Sequence, residues 1–173
     1  NNWRWKLFNP AEFGLIRFDQ IVGNGVGQIP SGSSISSAIL TLKVTDGSVV
    51  RNGTINESAV DWAETTTTWS NFGGDTGVQP DEYRASPSYI PPIGTGSVPV
   101  DVSASVQAWV NGTRSNFGWV FRPTSTDGVQ VDSAEFEMVE QRPKLTVVYF
   151  PAVIVCTTNA QCADNDLCNG IET

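Results

Sequence analysis

The chain has 173 residues and carries ten Lys and Arg against eighteen Asp and Glu, a formal net charge of −8, with no His. That length predicts one domain that buries about two thirds of its unfolded surface without cross-links, and that charge sets aside nucleic acid and anionic membrane as partners. The lack of His removes the usual general base of a Ser or Cys triad and the commonest transition-metal ligand, and no apolar run is long enough to span a membrane, so no membrane insertion is expected.

Charged residues are scarce while Ser, Thr, Gly and Asn are plentiful. This is the composition of extracellular β proteins, whose strands favour β-branched residues and whose turns favour Gly and Asn. The opening Asn1-Asn2-Trp3, with neither Met nor a charged and apolar leader, reads as the start of a processed or excised piece of a secreted protein.

In chain order, Trp3 and Trp5 stand on one side of an extended segment, where flat rings could stack on the apolar faces of sugars. A strand signal follows at Leu15-Ile16-Arg17-Phe18-Asp19. Gly23-Asn24-Gly25-Val26-Gly27 has the look of a phosphate-binding loop, but Gln28-Ile29-Pro30 comes next and not a helix, so it is read as a surface turn. Period-two alternation then places Ala38, Leu40, Leu42 and Val44 inward and Ile39, Thr41, Lys43 and Thr45 outward. The pattern returns at Val98, Val100 and Val102, and again at Leu145, Val147 and Tyr149. Trp119 alternates with Phe121 and is expected in the core.

One segment departs from this period. Val106, Trp109 and Val110 fall at i, i+3 and i+4, with Asp101 or Ser103 placed to cap a short helix and Gly112 placed to end it. The stretch 72–96 is rich in Gly, Pro, Asp and Ser and is expected to be a long loop, since Pro87, Pro91 and Pro92 remove donors that a central strand needs. Its Tyr83 and Tyr89 either pin the loop to the domain or offer a ligand surface. Several short strands with frequent turn signals argue for a sandwich, which ends at Pro151.

The ordered set of Leu15-Ile16-Arg17-Phe18-Asp19, Ala38-Ile39-Leu40-Thr41-Leu42, Trp62-Ala63-Glu64-Thr65-Thr66-Thr67-Thr68-Trp69, Asp101-Val102-Ser103 with Trp109, Asn116-Phe117-Gly118, Ser133-Ala134-Glu135 and Arg142-Pro143-Lys144-Leu145 resembles the DNRLRE domain family. That family includes alginate-binding carbohydrate-binding modules. The resemblance covers about four fifths of the chain and implies an all-β, jelly-roll-like antiparallel β-sandwich over residues 1–151, with one short helix, that binds something; it does not imply a reaction. It also implies that Trp62 and Trp69 are core residues and that Arg142 caps a carboxylate. Members carry a strand ahead of an Asn-rich turn that Asn1-Asn2 resembles, so either a first strand was removed or another segment supplies it, and an uncovered edge would invite strand addition.

Residues 152–173 resemble the start of a bacterial cysteine-rich surface-protein repeat, with Cys156, Cys162 and Cys168 as its disulfide candidates. An odd count in a secreted chain points to a missing partner. No cofactor is expected. The one metal left open is calcium, through the hard oxygens of Asp164-Asn165-Asp166 or of Asp127 and Asp132. Asn52, Asn56 and Asn111 fit the N-glycosylation acceptor pattern if the source is a eukaryote. Asp61, Glu64, Asp101, Glu135, Glu137 and Glu140 offer many carboxylate pairs, yet spacing fixes none of them across a glycosidic bond, so the chain is read as no enzyme.

Function is therefore read as a secreted, non-catalytic carbohydrate-binding module of a larger extracellular protein, its partner a polysaccharide or cell-surface glycan. Trp3, Trp5, Tyr83, Arg84 and Tyr89 are its candidate ligand-binding residues. An acidic polymer would need a local basic patch around Arg84, Arg114, Arg122 or Arg142, and otherwise the glycan is neutral. The alternative is a structural or adhesive building block that self-associates through strand addition or disulfides.

Overall fold

The computed structural model describes residues 4–7, 13–46, 53–85, 88–90, 95–123 and 129–152. The strands are β1 (Arg4–Leu7), β2 (Gly14–Ile16), β3 (Ser34–Val44), β4 (Gly53–Glu57), β5 (Ser88–Ile90), β6 (Gly96–Asp101), β7 (Trp119–Pro123), β8 (Val129–Asp132) and β9 (Lys144–Phe150), with one helix, α1 (Ser103–Val110). They form two antiparallel sheets. The first runs β1-β8-β3-β6 with β9 also on β3, and the second runs β2-β7-β4-β5.

Strand β3 organises the first sheet. Leu40 is in register with Val100 on one side and Leu145 on the other, so β6 and β9 occupy opposite edges. Val44 pairs with both Gly96 and Val131, which sets β8 end to end with β9 along one edge. A bulge between Ile35 and Ser37 shifts the side-chain parity, so that Ile35 and Ala38, three residues apart, both pack against the core.

The predicted alternation holds. Ala38, Leu40, Leu42, Val44, Val98, Val100 and Val102 are all buried, while Leu145, Val147 and Tyr149 are partly buried and packed on them. From the second sheet Ile16, Ile55, Trp119 and Phe121 complete the same cluster. The two sheets thus face each other as a β-sandwich, as the period-two reading expects.

Helix α1 ties the two sheets together. Val106, Trp109 and Val110 enter the core, Ser103 Oγ accepts the Ala38 amide at 2.8 Å and Gln107 Oε1 accepts the Ile35 amide at 2.8 Å. On the other side Trp119 Nε1 donates to Ser105 Oγ at 3.3 Å. The helix ends as predicted at Gly112, whose φ is +65°. Gly112 N donates to Trp109 O and Thr113 N to Ala108 O, the paired bonds of a Schellman turn. At the start, Asp101 Oδ1 accepts the Ser103 amide at 2.9 Å.

Three expectations need correction. Trp62 and Trp69 are half-buried and lie outside the core cluster, whereas Trp109 and Trp119 lie inside it. Trp62 lies beneath the Arg17 guanidinium and donates Nε1 to Phe117 O at 2.7 Å, while Trp69 packs on Phe13 with ring centroids 5.5 Å apart. The stretch 72–96 is not one loop, since a 3-10 turn at Phe72–Gly74, a bridge from Tyr83 to Ser58 and strand β5 interrupt it. Arg142 caps a carbonyl and not a carboxylate, with Nε donating to Phe136 O at 2.6 Å.

The surface turn at 23–27 is as expected, closed by a Val22–Ile29 bridge and by Gln28 Oε1 accepting the Gly25 amide at 2.7 Å.

These burial differences predict a graded mutational response. Trp119→Ala should cost about 3–5 kcal/mol, as truncation of a buried aromatic does, and Trp62→Ala clearly less, both read from urea unfolding midpoints. A second expectation concerns pH. The Ser103 hydroxyl, and after it the Ser103 amide, hold the Asp101 carboxyl below its ordinary value of 3.8 against a small opposing desolvation. Folding therefore gains from this group above the ordinary value, and the gain disappears as pH falls through the lower folded-state pKa. Asp101→Asn should flatten the drop of the unfolding midpoint between about pH 5 and about pH 2.

Candidate functional site

Alternation along β4 and β7 separates two kinds of residue. Ile55, Trp119 and Phe121 face the core, so Thr54, Asn56, Val120 and Arg122 face the other side of the second sheet. Register aligns them in rows, with Val120 opposite Asn56 and Leu15, and Arg122 opposite Thr54. On its far side Thr54 is opposite Tyr89 of β5.

Residues 59–85 leave β4 and return across this face. Backbone bonds hold the return: Ala59 N donates to Glu82 O and Arg84 N to Glu57 O, each at 2.8 Å. Asn56, 2 % exposed, donates Nδ2 to Arg84 O at 2.7 Å. Tyr83 bridges Ser58. Beneath the crossing segment Val120 is wholly buried although it faces away from the core, and Phe13, Trp69 and Phe72 form a small satellite cluster.

The outcome at the rim is an aromatic–cation pair, with the Arg122 guanidinium carbon 3.9 Å from the Tyr83 ring centroid. Arg122 forms no ion pair with a described carboxylate. Arg84, next to Tyr83, is exposed. Below them Thr54 Oγ1 and Asn56 Oδ1 are buried without a hydrogen-bond partner among the described residues.

The other arginines named as a basic patch are committed elsewhere. Arg114 meets the buried Glu57 carboxylate at 2.8 Å and donates to Ala104 O at 3.0 Å, and the second oxygen of Glu57 accepts Trp109 Nε1 at 3.1 Å. Arg142 is the carbonyl cap described above. A second ring–cation pair, Arg17 at 5.0 Å over Trp62, is neutralised. Its Nη1 binds Asp61 Oδ1 at 2.7 Å, and its Nε is equally close to Asp19, as an ion pair without hydrogen-bond alignment.

Of the sequence candidates, Tyr83 and Arg84 are neighbours beside the end of β4, and Tyr89 belongs to edge strand β5, in register with Thr54 of β4. Trp5 belongs to β1 of the other sheet, in register with Val131. Trp3, the three cysteines, Asn52, Asp127, Asp164 and Asp166 lie outside the described residues. Asn56 is the buried tie to Arg84, and Asn111 is exposed with Oδ1 accepting Gln107 Nε2 at 2.9 Å. Asp132 is buried at the end of β8. Among the described residues no three His, Cys, Asp or Glu side chains gather as a metal site, and no helix is long and apolar enough to cross a membrane.

Thr54 was not selected from the sequence, and Arg122 was named there only among the four arginines of a possible basic patch, without its place on the outer face of the second sheet. Their signal was parity alone: if Trp119 and Phe121 point inward, Arg122 points outward.

The described residues thus form a two-sheet antiparallel sandwich with a tyrosine ring and two arginines on one rim of the second sheet. Residues 15–149 match the model of carbohydrate-binding module family 96. The chain belongs to that family and is a carbohydrate-binding module, the broader class to which the motif resemblance had pointed. Comparison with curated proteins finds no match.

The Glu57 knot yields a direct test. Arg114→Met should leave a buried carboxylate without its cation and cost about 3 kcal/mol in urea unfolding. The double variant Arg114→Met, Glu57→Gln should recover a large part of that loss, since the neutral amide keeps an acceptor for Trp109 Nε1.

Proposed function

We propose that this chain is a secreted, non-catalytic carbohydrate-binding module of a larger extracellular protein, and that it holds its glycan at the rim formed by Tyr83, Arg84, Arg122 and Tyr89. The family membership supports a glycan as ligand. The observation that carries the location is the Arg122–Tyr83 pair at 3.9 Å, a flat ring and a planar five-donor cation on one surface.

Each part has a task in this reading. The Tyr83 ring, stiffened from above by the guanidinium, offers an apolar surface to a sugar face. Arg122 and Arg84 supply donors to hydroxyl or carboxylate oxygens, and Arg84 adds charge to a chain that is acidic as a whole. Asn56 fixes the backbone of Arg84, so the rim is set before ligand arrives and little ordering entropy is lost on binding. The unsatisfied Thr54 Oγ1 and Asn56 Oδ1 make the floor beneath the rim polar, a place where ordered water or a ligand hydroxyl completes a network.

Affinity electrophoresis in gels containing alginate, xylan, β-glucan or mannan tests the assignment. Tyr83→Ala and Arg122→Ala are each expected to weaken retention by about tenfold, the equivalent of about 1.4 kcal/mol, with unchanged melting temperature. Arg17→Ala should leave retention as it was. Retention by none of these polymers, or retention untouched by both rim variants, contradicts the proposed site.

A further inference from the structure

The edges of the two sheets are not alike. A strand edge left unpaired offers a row of amides and carbonyls to any neighbour, and stable proteins blunt such edges with short strands, Pro or charge. Edge strands β2 and β5 have three residues each. Edge strand β6 carries Pro99 within Gly96–Asp101, and β1 is four residues long with Arg4 and Lys6 among them.

Strand β9 has none of these devices. It runs seven residues, Lys144–Phe150, without Pro or Gly and with a single charge at its first position. It pairs with β3 alone, and its other edge has no partner among the described residues. Its outward side chains are Lys144, Thr146, Val148 and Phe150, and the last two are 52 % and 66 % exposed. Large apolar side chains beside an open backbone edge are what a strand-adding partner covers.

We infer that β9 is a self-association edge, whose occupant is β9 of a second copy of this chain, added antiparallel about a two-fold axis. The strand is complementary to itself. With the axis at Val147, Thr146 lies opposite Val148 of the copy and Lys144 opposite its Phe150. The two copies of Lys144 then stand at opposite ends, about 20 Å apart along the strand. The only charge in the strand is thus never placed against its like, whereas a parallel pairing in register would set the two side by side. A contact of this kind is isologous and closes after two chains. It continues each five-stranded sheet into one of twice that number, and it leaves the Tyr83–Arg122 rim free, since that rim belongs to the other sheet. It is independent of the glycan reading, which concerns different residues.

Sedimentation velocity on the full chain over a wide concentration range tests this, in reductant so that disulfides from the cysteine tail cannot join chains. The expected result is a reversible monomer–dimer equilibrium. Val148→Lys, an exposed position outside the core, should weaken it at least tenfold with unchanged melting, and Val139→Lys, exposed but off β9, should leave it alone. Hydrogen exchange supplies a second readout that needs no variant, because the β9 amides that point away from β3 should gain protection as concentration rises. A monomer at every concentration overturns the inference, as does a dimer equally tight in wild type and in Val148→Lys. Protection, at every dilution, of the β9 amides that point away from β3 also overturns it, because the chain's own residues would then cover the edge.

Discussion

The buried carboxylate of Glu57 is the constraint on which the arrangement turns. It sits where β4 leaves the sandwich, with one oxygen on Trp109 Nε1 of the helix and the other on Arg114, while its backbone carbonyl receives the amide of Arg84. A carboxylate removed from water is costly unless charge and hydrogen bonds replace the solvent. The helix end and the residues just after it must therefore stay where they are for β4 to stay where it is. Because the same residue's backbone anchors Arg84, the core and the rim are held by one group: helix packing on the inside and the placement of Arg84 on the outside are coupled through Glu57 and its neighbour Asn56.

That coupling explains why the rim can be exposed and still ordered. Loops that carry function are usually mobile because few contacts hold them. Here the 59–85 excursion is pinned at its return by bonds from Ala59, Arg84 and Asn56, and at its middle by Phe72, 1 % exposed, which packs against Phe13. The distribution of charge follows the same division. Arg17 and Arg114 are spent on carboxylates and Arg142 on a carbonyl. Arg122 lies over a ring instead, where it keeps donors to offer.

Much of the sandwich was legible in the sequence because burial of one face imposes a period of two. Ala38 to Val44, Val98 to Val102 and Leu145 to Tyr149 announce their inward sets residue by residue, and the three-and-four spacing of Val106, Trp109 and Val110 announces the helix. Strand β5 was not legible, since three residues are too few to show a period and the prolines around them signal a loop. Trp62 and Trp69 misled because large aromatic rings serve equally well as core and as covers of surface loops, and only the contacts distinguish these roles. The pairing of Arg122 with Tyr83 joins residues far apart in the chain through the order of strands in the second sheet, an order that alternation does not encode. The carboxylate partner of Arg114 and the carbonyl partner of Arg142 were equally hidden, so both looked as available as Arg122.

The account stands or falls on whether ligand meets the second sheet at its Tyr83–Arg122 rim. An amide- and side-chain-resolved NMR titration with oligosaccharides of the polymer that the protein retains measures this directly. The account predicts shifts concentrated at Thr54 to Ser58, Tyr83, Arg84 and the Arg122 guanidinium, with the outward residues of β3 and β9 unmoved. Shifts confined to the first sheet, or to the segment around Trp62, would contradict it.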